Sequence, residues 1–285
     1  MISHGRLNVS QADATASGEL HPMRGRVLIC AGSDSGGGAD IQADIKAVTA
    51  LGGFAMTAIT ALTAQNTEGV HDVYDVHEEF IRKQIEVVLK DLGADCIKTG
   101  MLHSIPVIET VHKALVELAP DVPLVVDPVM VAKGGHALLE PQALEAMKRR
   151  MVARATILTP NIPEAELLTA QKIAGRDDML RVGALLLKLG PKHVLMKGGH
   201  MLGDELVDIL VSADSEPVEF RSERIDTLHT HGTGCTTASG LAQGLGVVEA
   251  VGRARDYVRK AILSAPGFGH GHGPLNHAHT VREEV

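Results

Sequence analysis

CIKTGMLHSIPVIETVHKALVELAPDVPLVV, residues 96–126, decides the fold class because it contains a complete strand–helix–strand unit. Residues 96–98 and 124–126 are short apolar runs that predict buried strands, whereas 106–118 carries apolar side chains at helical spacing. Two strands joined by a crossover helix pair in parallel within one sheet. The stretch therefore predicts a βαβ unit, from which parallel α/β sheets are built.

The same alternation of strand and helix continues on both sides of this unit. Further strands are predicted at 27–31, 54–62, 73–76, 156–158 and 194–196, and helices at 41–51, 78–92, 141–150, 163–168, 179–189, 236–245 and 248–263. Residues 206–210 and 218–224 are predicted as antiparallel edge strands. Together these segments predict a single α/β domain with a mainly parallel central sheet, helices on both faces and antiparallel edge strands.

Length and composition restrict the class of protein. The chain has 285 residues, 45% of them hydrophobic, and no apolar run approaches the roughly 18 residues of a membrane span. A formal net charge of −8 without any Lys/Arg cluster argues against nucleic acid as the main partner. The three cysteines are widely spaced and form neither a disulfide framework nor a zinc motif, which favours the cytoplasm. We expect a flexible tail at 1–24 and the folded domain at 25–285.

Residues that could bind a ligand or take part in catalysis follow the predicted strands, at the point where each strand ends. They are Gly32, Gln65, Lys98, Asp127, Asn161, Lys197 and the loop before Cys235. In open α/β sheets, ligands bind beyond the carboxyl ends of the strands. The chemistry is therefore expected at one edge of the sheet.

The loop before a predicted helix reads TLHTHGTGCTTA over residues 227–238, with Gly232 and Gly234 flanking Thr233 just before Cys235. The first N–H groups of a helix have no internal partner, and residues without Cβ let a phosphate approach them. A thiol in that position has its pKa lowered from about 8.5 toward neutrality. One interpretation is a backbone anion-binding site beside a cysteine that acts as proton acceptor or nucleophile. The other is a pair of glycines that cap a helix, beside a small buried cysteine.

A second glycine-rich stretch, GSDSGGGAD at residues 32–40, joins a predicted strand to a predicted helix. It matches neither the dinucleotide fingerprint G-x-G-x-x-G nor the P-loop G-x-x-x-x-G-K-[ST]. Either it lets a ligand approach the backbone closely, or it is a flexible turn.

Carboxylates, an ammonium and amides at the same edge suit metal, phosphate and heterocycle binding. Asp127 and Glu164 together suit Mg²⁺ held through water, although each taken alone is better explained as a helix cap or a solvated charge. Asn161 is a natural N-cap. Lys197 is placed to neutralise a transferring phosphoryl group. Gln65 offers a carbonyl and an amide that match the amino and ring-nitrogen edge of an aminopyrimidine.

Taken in chain order, these stretches resemble a known family. They are AGSDSGGGADIQADIKA, ITALTAQNT, IKTGM, VVDPVMVAKGG, LTPNIPEAE, VLMKGGH, THGTGCT and GHGPLNH. They closely resemble the hydroxymethylpyrimidine/phosphomethylpyrimidine kinases of thiamine biosynthesis, which belong to the ribokinase-like superfamily. The resemblance runs from about residue 27 to about residue 279.

The resemblance implies a ribokinase-like, commonly homodimeric kinase that uses ATP and Mg²⁺ to phosphorylate 4-amino-5-hydroxymethyl-2-methylpyrimidine and then its monophosphate. The positions that match pyrimidine contacts are Gly32, Asp44, Gln65, Met101, Val129 and Cys235. Asp127 and Glu164 match metal-linked acids, and Asn161, Lys197 and Thr233 match nucleotide or phosphate contacts. The implied catalytic set is Cys235 as the base, Lys197, and the loop residues Gly232, Thr233 and Gly234.

The chain departs from the family pattern at two positions. Asp40 stands where Gly is usual, which adds a carboxylate and restricts the backbone. His270 stands where some members carry Lys or Arg, and a phosphate contact from it would weaken above roughly pH 6.5.

Two other functions stay open at this point. A kinase of pyridoxal or pyridoxine would act on a similar ring with a hydroxymethyl group. A non-catalytic pyrimidine-binding or regulatory protein would keep the pocket without turnover, although the joint presence of Cys235, Lys197, Asp127 and Glu164 speaks against it.

Overall fold

The computed structural model describes residues 24–131, 137–199, 203–225 and 236–281, and within them nine strands form one sheet. The strands are β1 (Arg26–Asp34), β2 (Phe54–Gln65), β3 (Val70–Asp75), β4 (Cys96–Thr99), β5 (Leu124–Val126), β6 (Ile157–Leu158), β7 (His193–Met196), β8 (Glu205–Ser212) and β9 (Ser215–Glu223). Their order is β3-β2-β1-β4-β5-β6-β7-β8-β9. Strands β2 to β7 in this order pair in parallel, and β3, β8 and β9 pair antiparallel at the two edges. The predicted α/β fold is confirmed.

The helices connect these strands and mostly match their predicted positions. They are α1 (Asp40–Ala50), α2 (Glu78–Asp91), α3 (Ile105–Leu118), α4 (Leu144–Ala146), α5 (Ile162–Thr169), α6 (Arg176–Leu187), α7 (Thr237–Ala242) and α8 (Val247–Leu263). None of the helices in the described ranges has both the length and the apolar character to cross a membrane.

Two helices differ from their predicted form. In place of a regular helix over 141–150, the short α4 is flanked by 3₁₀ turns at Pro141–Ala143 and Val152–Arg154 and by a π turn at Met147–Met151. Helix α7 ends before the predicted residue 245, because the N–H groups of Gly244 and Leu245 bond back to the carbonyls of Leu241 and Gly240. This is a Schellman motif, in which Gly244 takes the left-handed conformation with φ +82°.

Strands β1 and β2 run beyond their predicted ends at residues 31 and 62, to Asp34 and Gln65. They stay paired there after a register shift at Gly32. Such irregularities redirect side chains near functional sites. Gly32, Asp34 and Gln65 therefore lie on strand ends at the carboxyl edge of the sheet, rather than in free loops.

Side chains of β1 alternate between two cores on opposite sides of the sheet. Leu28 and Cys30 belong to the core covered by α2, α3, α5 and α6. Val27, Ile29 and Ala31 belong to the core covered by α1, α7 and α8. Because helices cover both faces, the carboxyl edge of the parallel strands is the open place where a ligand can bind.

Close packing of α7 against α8 gives a stability test. A Cβ added at Gly240 would lie 2.8 Å from the Cβ of Ala250, whereas one added at Gly252 would meet Phe220 at 3.8 Å. Gly240→Ala is expected to lower the free energy of unfolding by about 1–3 kcal/mol through overpacking. Gly252→Ala, the matched control in α8, is expected to raise it by roughly 0.5–1 kcal/mol through helix propensity. Urea unfolding measures both, and a stabilising Gly240→Ala would contradict this packing.

Candidate active site

The carboxyl ends of the parallel strands bring most of the predicted site residues into two neighbouring clusters. The first, which we call the α1 cluster, consists of Gly32, Asp40, Asp44, Lys98 and Met101. The second, the α5 cluster, consists of Asp127, Thr159, Asn161, Glu164 and Lys197. Strand ends and adjoining helix starts supply both clusters, as the topology of an open α/β sheet requires.

Asp34 organises the glycine-rich turn between β1 and α1. Its carboxylate accepts hydrogen bonds from the N–H groups of Gly36 at 2.7 Å, Gly38 at 2.8 Å and Ala39 at 2.8 Å. The Asp34 residue is 2% exposed, and these charge-assisted bonds offset the cost of burying it. The turn is thus held by its own carboxylate, which occupies three donors that a phosphate would otherwise use.

A buried ion pair fastens α1 to the sheet. Lys98 Nζ, from β4, donates to Asp44 Oδ2 of α1 at 2.7 Å, and the two side chains are 4% and 1% exposed. Charges so deeply buried are stable when they are paired, and removing one partner leaves the other uncompensated. The sequence placed Lys98 at this edge without assigning it a role, and the structure makes it the partner of a predicted substrate-binding residue.

Gly32, Met101 and Asp40 meet at one point of the α1 cluster. A Cβ added at Gly32 would lie 3.2 Å from Met101 Sδ and 3.3 Å from Asp40 Oδ2. Asp40 begins α1 with φ +47°, in the left-handed region that residues with a Cβ rarely adopt. The chain therefore keeps at Asp40 a backbone conformation suited to glycine and places a carboxylate against Gly32.

Gln65 is joined to the glycine-rich turn through Ser35. The Ser35 hydroxyl donates to the Gln65 carbonyl and accepts from the Gln65 N–H, both at 2.9 Å. Thr63 donates its hydroxyl hydrogen to Gln65 Oε1 at 3.1 Å. Gln65 thus lies on the turn side of the edge, and its side-chain carbonyl is already engaged.

The C-terminal segment binds the hairpin turn that follows Gln65. Thr67 Oγ1 accepts from the N–H groups of His270 and Gly271, both at 3.2 Å, and the Thr67 carbonyl accepts from His272 N–H at 2.8 Å. His270 is exposed and meets this turn through its backbone. A contact of its side chain with phosphate stays a prediction.

Asp127 is the centre of the α5 cluster. It follows β5 and accepts from Lys197 Nζ at 3.0 Å and from the Thr159 hydroxyl at 3.3 Å. Burial acts to raise the pKa of Asp127, but the ammonium groups of Lys197 and Lys98 outweigh it and hold the pKa below its usual value. Asp127 is therefore an anion, and its carbonyl also accepts from the N–H of Val129, a predicted substrate contact, at 2.9 Å.

Asn161 and Glu164 form a capping box at the start of α5. Asn161 Oδ1 accepts from the Glu164 N–H at 2.9 Å, while Glu164 Oε2 accepts from the Asn161 N–H at 2.8 Å. The N-cap role predicted for Asn161 is confirmed. Burial raises the pKa of Glu164 to about 7, the charge of Asp127 adds to this increase, and Lys197 opposes it. Glu164 is thus a cap and also a buried carboxyl within electrostatic reach of Asp127.

The donor set of the α5 cluster suits a Mg²⁺ ion held mainly through water. Asp127 and Glu164 are buried close to each other, and burial is the main reason why the pKa of Glu164 is raised to about 7, so its charged form lacks the solvation that a cation could replace. Mg²⁺ keeps several waters and binds through one or two carboxylates plus substrate phosphates. Among the residues that the structure describes, no group of three or more His, Cys, Asp or Glu side chains could hold a metal by itself, so water and substrate phosphate would have to complete the coordination of such an ion.

A cavity of about 430 Å³ opens beside the α5 cluster, within the roughly 300–1,000 Å³ typical of small-molecule sites. The residues that line it include Asn161 and Lys197 of the α5 cluster, Asp208 of β8 and Arg255 of α8. Arg255 donates to Asp208 Oδ2 at 2.9 Å, and the Gly198 N–H donates to Asp208 Oδ1 at 2.7 Å. Asp208 thereby fixes the backbone that follows Lys197.

Sequence reasoning missed Asp208 and Arg255. The sequence does contain a signal for this pair, because Asp208 is an isolated carboxylate within the apolar strand sequence LVDIL. A carboxylate buried in such a strand requires a partner of opposite charge. The loop residues Gly232, Thr233, Gly234 and Cys235 lie outside the described residues, so their roles stay predictions. Thr236, the first described residue after that loop, lines the cavity.

Comparisons with known proteins agree with this geometry. A profile of the phosphomethylpyrimidine kinase family matches residues 34–276. The hydroxymethylpyrimidine/phosphomethylpyrimidine kinase of Streptomyces coelicolor is 45% identical over 261 residues, which cover 90% of this chain and 96% of the relative. A thiamine biosynthesis bifunctional protein of Geobacter sulfurreducens is 47% identical over 258 residues, 89% of this chain, which spans 52% of that protein. The pyridoxal kinase from Staphylococcus aureus in complex with AMP-PCP and pyridoxal superimposes with a TM-score of 0.83 at 31% identity, covering 92% of this chain and 96% of that one.

The ion pair of the α1 cluster gives a second stability test. Lys98→Met removes the ammonium that pairs with the buried Asp44 and is expected to lower the free energy of unfolding by about 3–5 kcal/mol. The double variant Lys98→Met/Asp44→Asn removes both charges and is expected to be more stable than Lys98→Met alone. Lys90→Met, which breaks an exposed pair with Glu86, is the control and is expected to cost about 0.5 kcal/mol or less. Urea unfolding compares them, and a double variant less stable than Lys98→Met would contradict the pairing.

Proposed function

This chain belongs to the phosphomethylpyrimidine kinase family and is a hydroxymethylpyrimidine/phosphomethylpyrimidine kinase, and we propose that ATP is its phosphoryl donor and the α5 cluster its transfer site. The proposed acceptors are 4-amino-5-hydroxymethyl-2-methylpyrimidine and then its monophosphate. The AMP-PCP bound by the structurally similar pyridoxal kinase supports ATP as the donor.

The contact between Lys197 and Asp127 carries this proposal. It places a fixed ammonium, 23% exposed at its side chain, between the cavity and the carboxylates of the α5 cluster. The cavity would take the nucleotide, and the α1 cluster with Gln65 would take the pyrimidine. A γ-phosphoryl group leaving the cavity toward the pyrimidine would then meet Lys197, whose charge offsets that of the transferred group.

In the first reaction the hydroxymethyl oxygen attacks the γ-phosphorus of ATP. A new O–P bond forms, the bond from the γ-phosphorus to the β,γ-bridging oxygen breaks, and ADP leaves. The hydroxyl proton passes to Cys235, to which we assign the role of base. Because such transition states are loose, positioning and electrostatic stabilisation are expected to contribute more than the base.

Asp127 and Glu164 would hold Mg²⁺, which when bound neutralises charge on the phosphate oxygens. Asn161 keeps Glu164 in place through the capping box, and Lys197 keeps Asp127 ionised. Each of these two carboxylates is therefore oriented by a neighbour in the same cluster.

The second reaction differs because its acceptor, a phosphate ester, is already anionic and needs no base. Cys235→Ala is therefore expected to lower kcat/KM for the alcohol by about 100-fold or more and to affect the monophosphate much less. Separate steady-state assays with the two acceptors measure this. Cys96→Ala, which removes a fully buried thiol from β4, is the control and is expected to leave both values unchanged. Equal losses with the two acceptors would contradict the assignment.

Glu164→Gln tests the metal assignment without breaking the capping box, since glutamine serves equally in that motif. The variant is expected to need a several-fold higher Mg²⁺ concentration for half-maximal activity. Glu166→Gln, on the same helix but bonded to Lys172, is the control. A magnesium titration that is identical for Glu164→Gln and the wild type would exclude Glu164 as a ligand.

Glu164→Gln is also expected to change the pH dependence of the free energy of unfolding. The pKa of Glu164 is raised to about 7 from 4.5, so the folded state disfavours its charge, and the resulting penalty grows as pH rises from roughly 4.5 to 7. Without magnesium, Glu164→Gln is therefore expected to stabilise the protein at pH 8 and to change it little at pH 4.5. Thermal unfolding at the two pH values measures this.

Phosphorylation of pyridoxal is a second candidate function, favoured by the close structural match to a pyridoxal kinase. One coupled assay of ATP consumption with the pyrimidine alcohol, its monophosphate and pyridoxal separates the candidates through kcat/KM. A protein that binds the pyrimidine but never consumes ATP would overturn both kinase functions.

We propose further that the kinase is a homodimer in the cytoplasm, with a tail at 1–24 and a kinase domain at 25–285. The resemblance to the family supports the homodimer, and the cysteine pattern supports the cytoplasm. Residues 1–23 lie outside the described ranges, so the tail stays a prediction from its polar composition.

A further inference from the structure

We propose that Asp40 sets the preference between the two acceptors, favouring the uncharged pyrimidine alcohol over the anionic monophosphate. This inference rests on the proposed function, because it concerns the acceptor side of the same site. It adds to the site a residue that the family resemblance gave only as a departure from the usual pattern.

The position of the Asp40 carboxylate is the first observation. Its Oδ2 lies 3.3 Å from the point where a Cβ on Gly32 would sit, and Met101 Sδ lies 3.2 Å from the same point. Gly32 and Met101 are two of the positions assigned to the pyrimidine. The carboxylate therefore lies against two buried residues that are assigned to the acceptor ring.

The backbone of Asp40 is the second observation. With φ +47°, Asp40 is one of two residues other than glycine with positive φ in the described ranges, and this conformation is unfavourable for a residue with a Cβ. Its side chain does not cap α1, since Ala39 is the N-cap and no side-chain bond caps that end. Within the described ranges, no residue donates a hydrogen bond to its carboxylate. The strain thus has no compensating local bond, which is typical of a residue kept for a ligand.

The charges around Asp40 are the third observation. Asp34 of β1, Asp44 of α1 and Asp127 after β5 act on it as like charges, and Lys98 of β4 acts as the opposite charge. Lys46 of α1 donates to the Gly37 carbonyl in the adjoining turn, and Lys197 pairs with Asp127. With Asp40 included, four carboxylates stand against three ammonium groups, so this region keeps a negative balance. An acceptor that brings its own negative charge is disfavoured here, whereas a neutral ring with an amino donor is not.

The two acceptors differ in charge, and the Asp40 carboxylate interacts with that charge. The alcohol is uncharged, while a phosphate monoester carries about −1.5 to −2 charges at neutral pH. At a partly buried site the repulsion between like charges is screened less than in water. Removing the charge at Asp40 is therefore expected to favour the monophosphate relative to the alcohol.

Asp40→Asn is the test, because asparagine keeps the shape and tolerates the left-handed conformation. We expect the variant to lower KM for the monophosphate by about fivefold and to lower the ratio of the monophosphate KM to the alcohol KM. Isothermal titration with the monophosphate alone, without ATP, should show the same fivefold gain in affinity. This binding readout does not depend on turnover.

Two control variants make the outcome specific. Asp91→Asn removes the same charge from the exposed end of α2 and is expected to change neither KM. Asp40→Gly removes the charge together with the backbone strain and is expected to match Asp40→Asn in selectivity while being more stable. If only Asp40→Gly altered selectivity, backbone strain rather than charge would be the cause, and the proposal would be overturned.

The dependence on pH gives an independent check. Burial, with the neighbouring carboxylates, raises the pKa of Asp40 to about 7 in spite of Lys98. At pH 8.5 the carboxyl is ionised and the difference between the wild type and Asp40→Asn should be largest. At pH 5.5 it is protonated and the difference should disappear. A difference that is the same at both pH values would overturn the proposal.

The failure of this inference is distinguishable from failure of the proposed function. A wild type that consumes no ATP with either pyrimidine acceptor would overturn the function. A wild type that phosphorylates both acceptors, with an unchanged ratio of KM values in Asp40→Asn, would overturn the role of Asp40 alone.

Discussion

The candidate site depends on how the buried carboxylates around Lys98 are balanced by ammonium groups. The Lys98 ammonium pairs with Asp44 at 2.7 Å and also stabilises the negative charge of Asp40 and Asp127, so it acts on both clusters. Lys197 supplies the second positive charge, at 3.0 Å from Asp127. Because carboxylates outnumber these ammonium groups, the edge of the sheet is poised to accept further positive charge, which is what a metal–nucleotide complex or an amino-substituted ring brings.

Several residues of the edge serve folding and chemistry at once. Glu164 completes the capping box of α5 and is also the proposed metal ligand. Asp208 binds the N–H after Lys197 and pairs with Arg255 on the cavity wall. A substitution at a residue with both roles changes the local structure and the reaction together. A variant separates the two roles only when it preserves one of them. The glutamine substitution at Glu164 has this property because the cap is retained.

The alternation of apolar runs and helical periodicity was sufficient to predict the sheet, because buried parallel strands and amphipathic helices each leave a strong pattern. The N-cap at Asn161 followed from local chemistry alone. What the sequence did not predict depends on long-range pairing: the extension of β1 and β2 past residues 31 and 62, the pairing of Lys98 with Asp44, and the contact of Asp208 with Arg255. Partners 54 and 47 residues apart leave no local signal. Family resemblance, not periodicity, supplied the assignment of the substrate.

Asp34 has one more consequence, which concerns the rate of ligand entry. The glycine-rich turn has its backbone donors satisfied by this carboxylate in the free protein. Ordering a segment of this length on binding would otherwise cost conformational entropy, on the order of 1 kcal/mol for each residue fixed. Here that entropy is lost during folding, so ordering of this turn is not a step that would slow entry of the proposed acceptor.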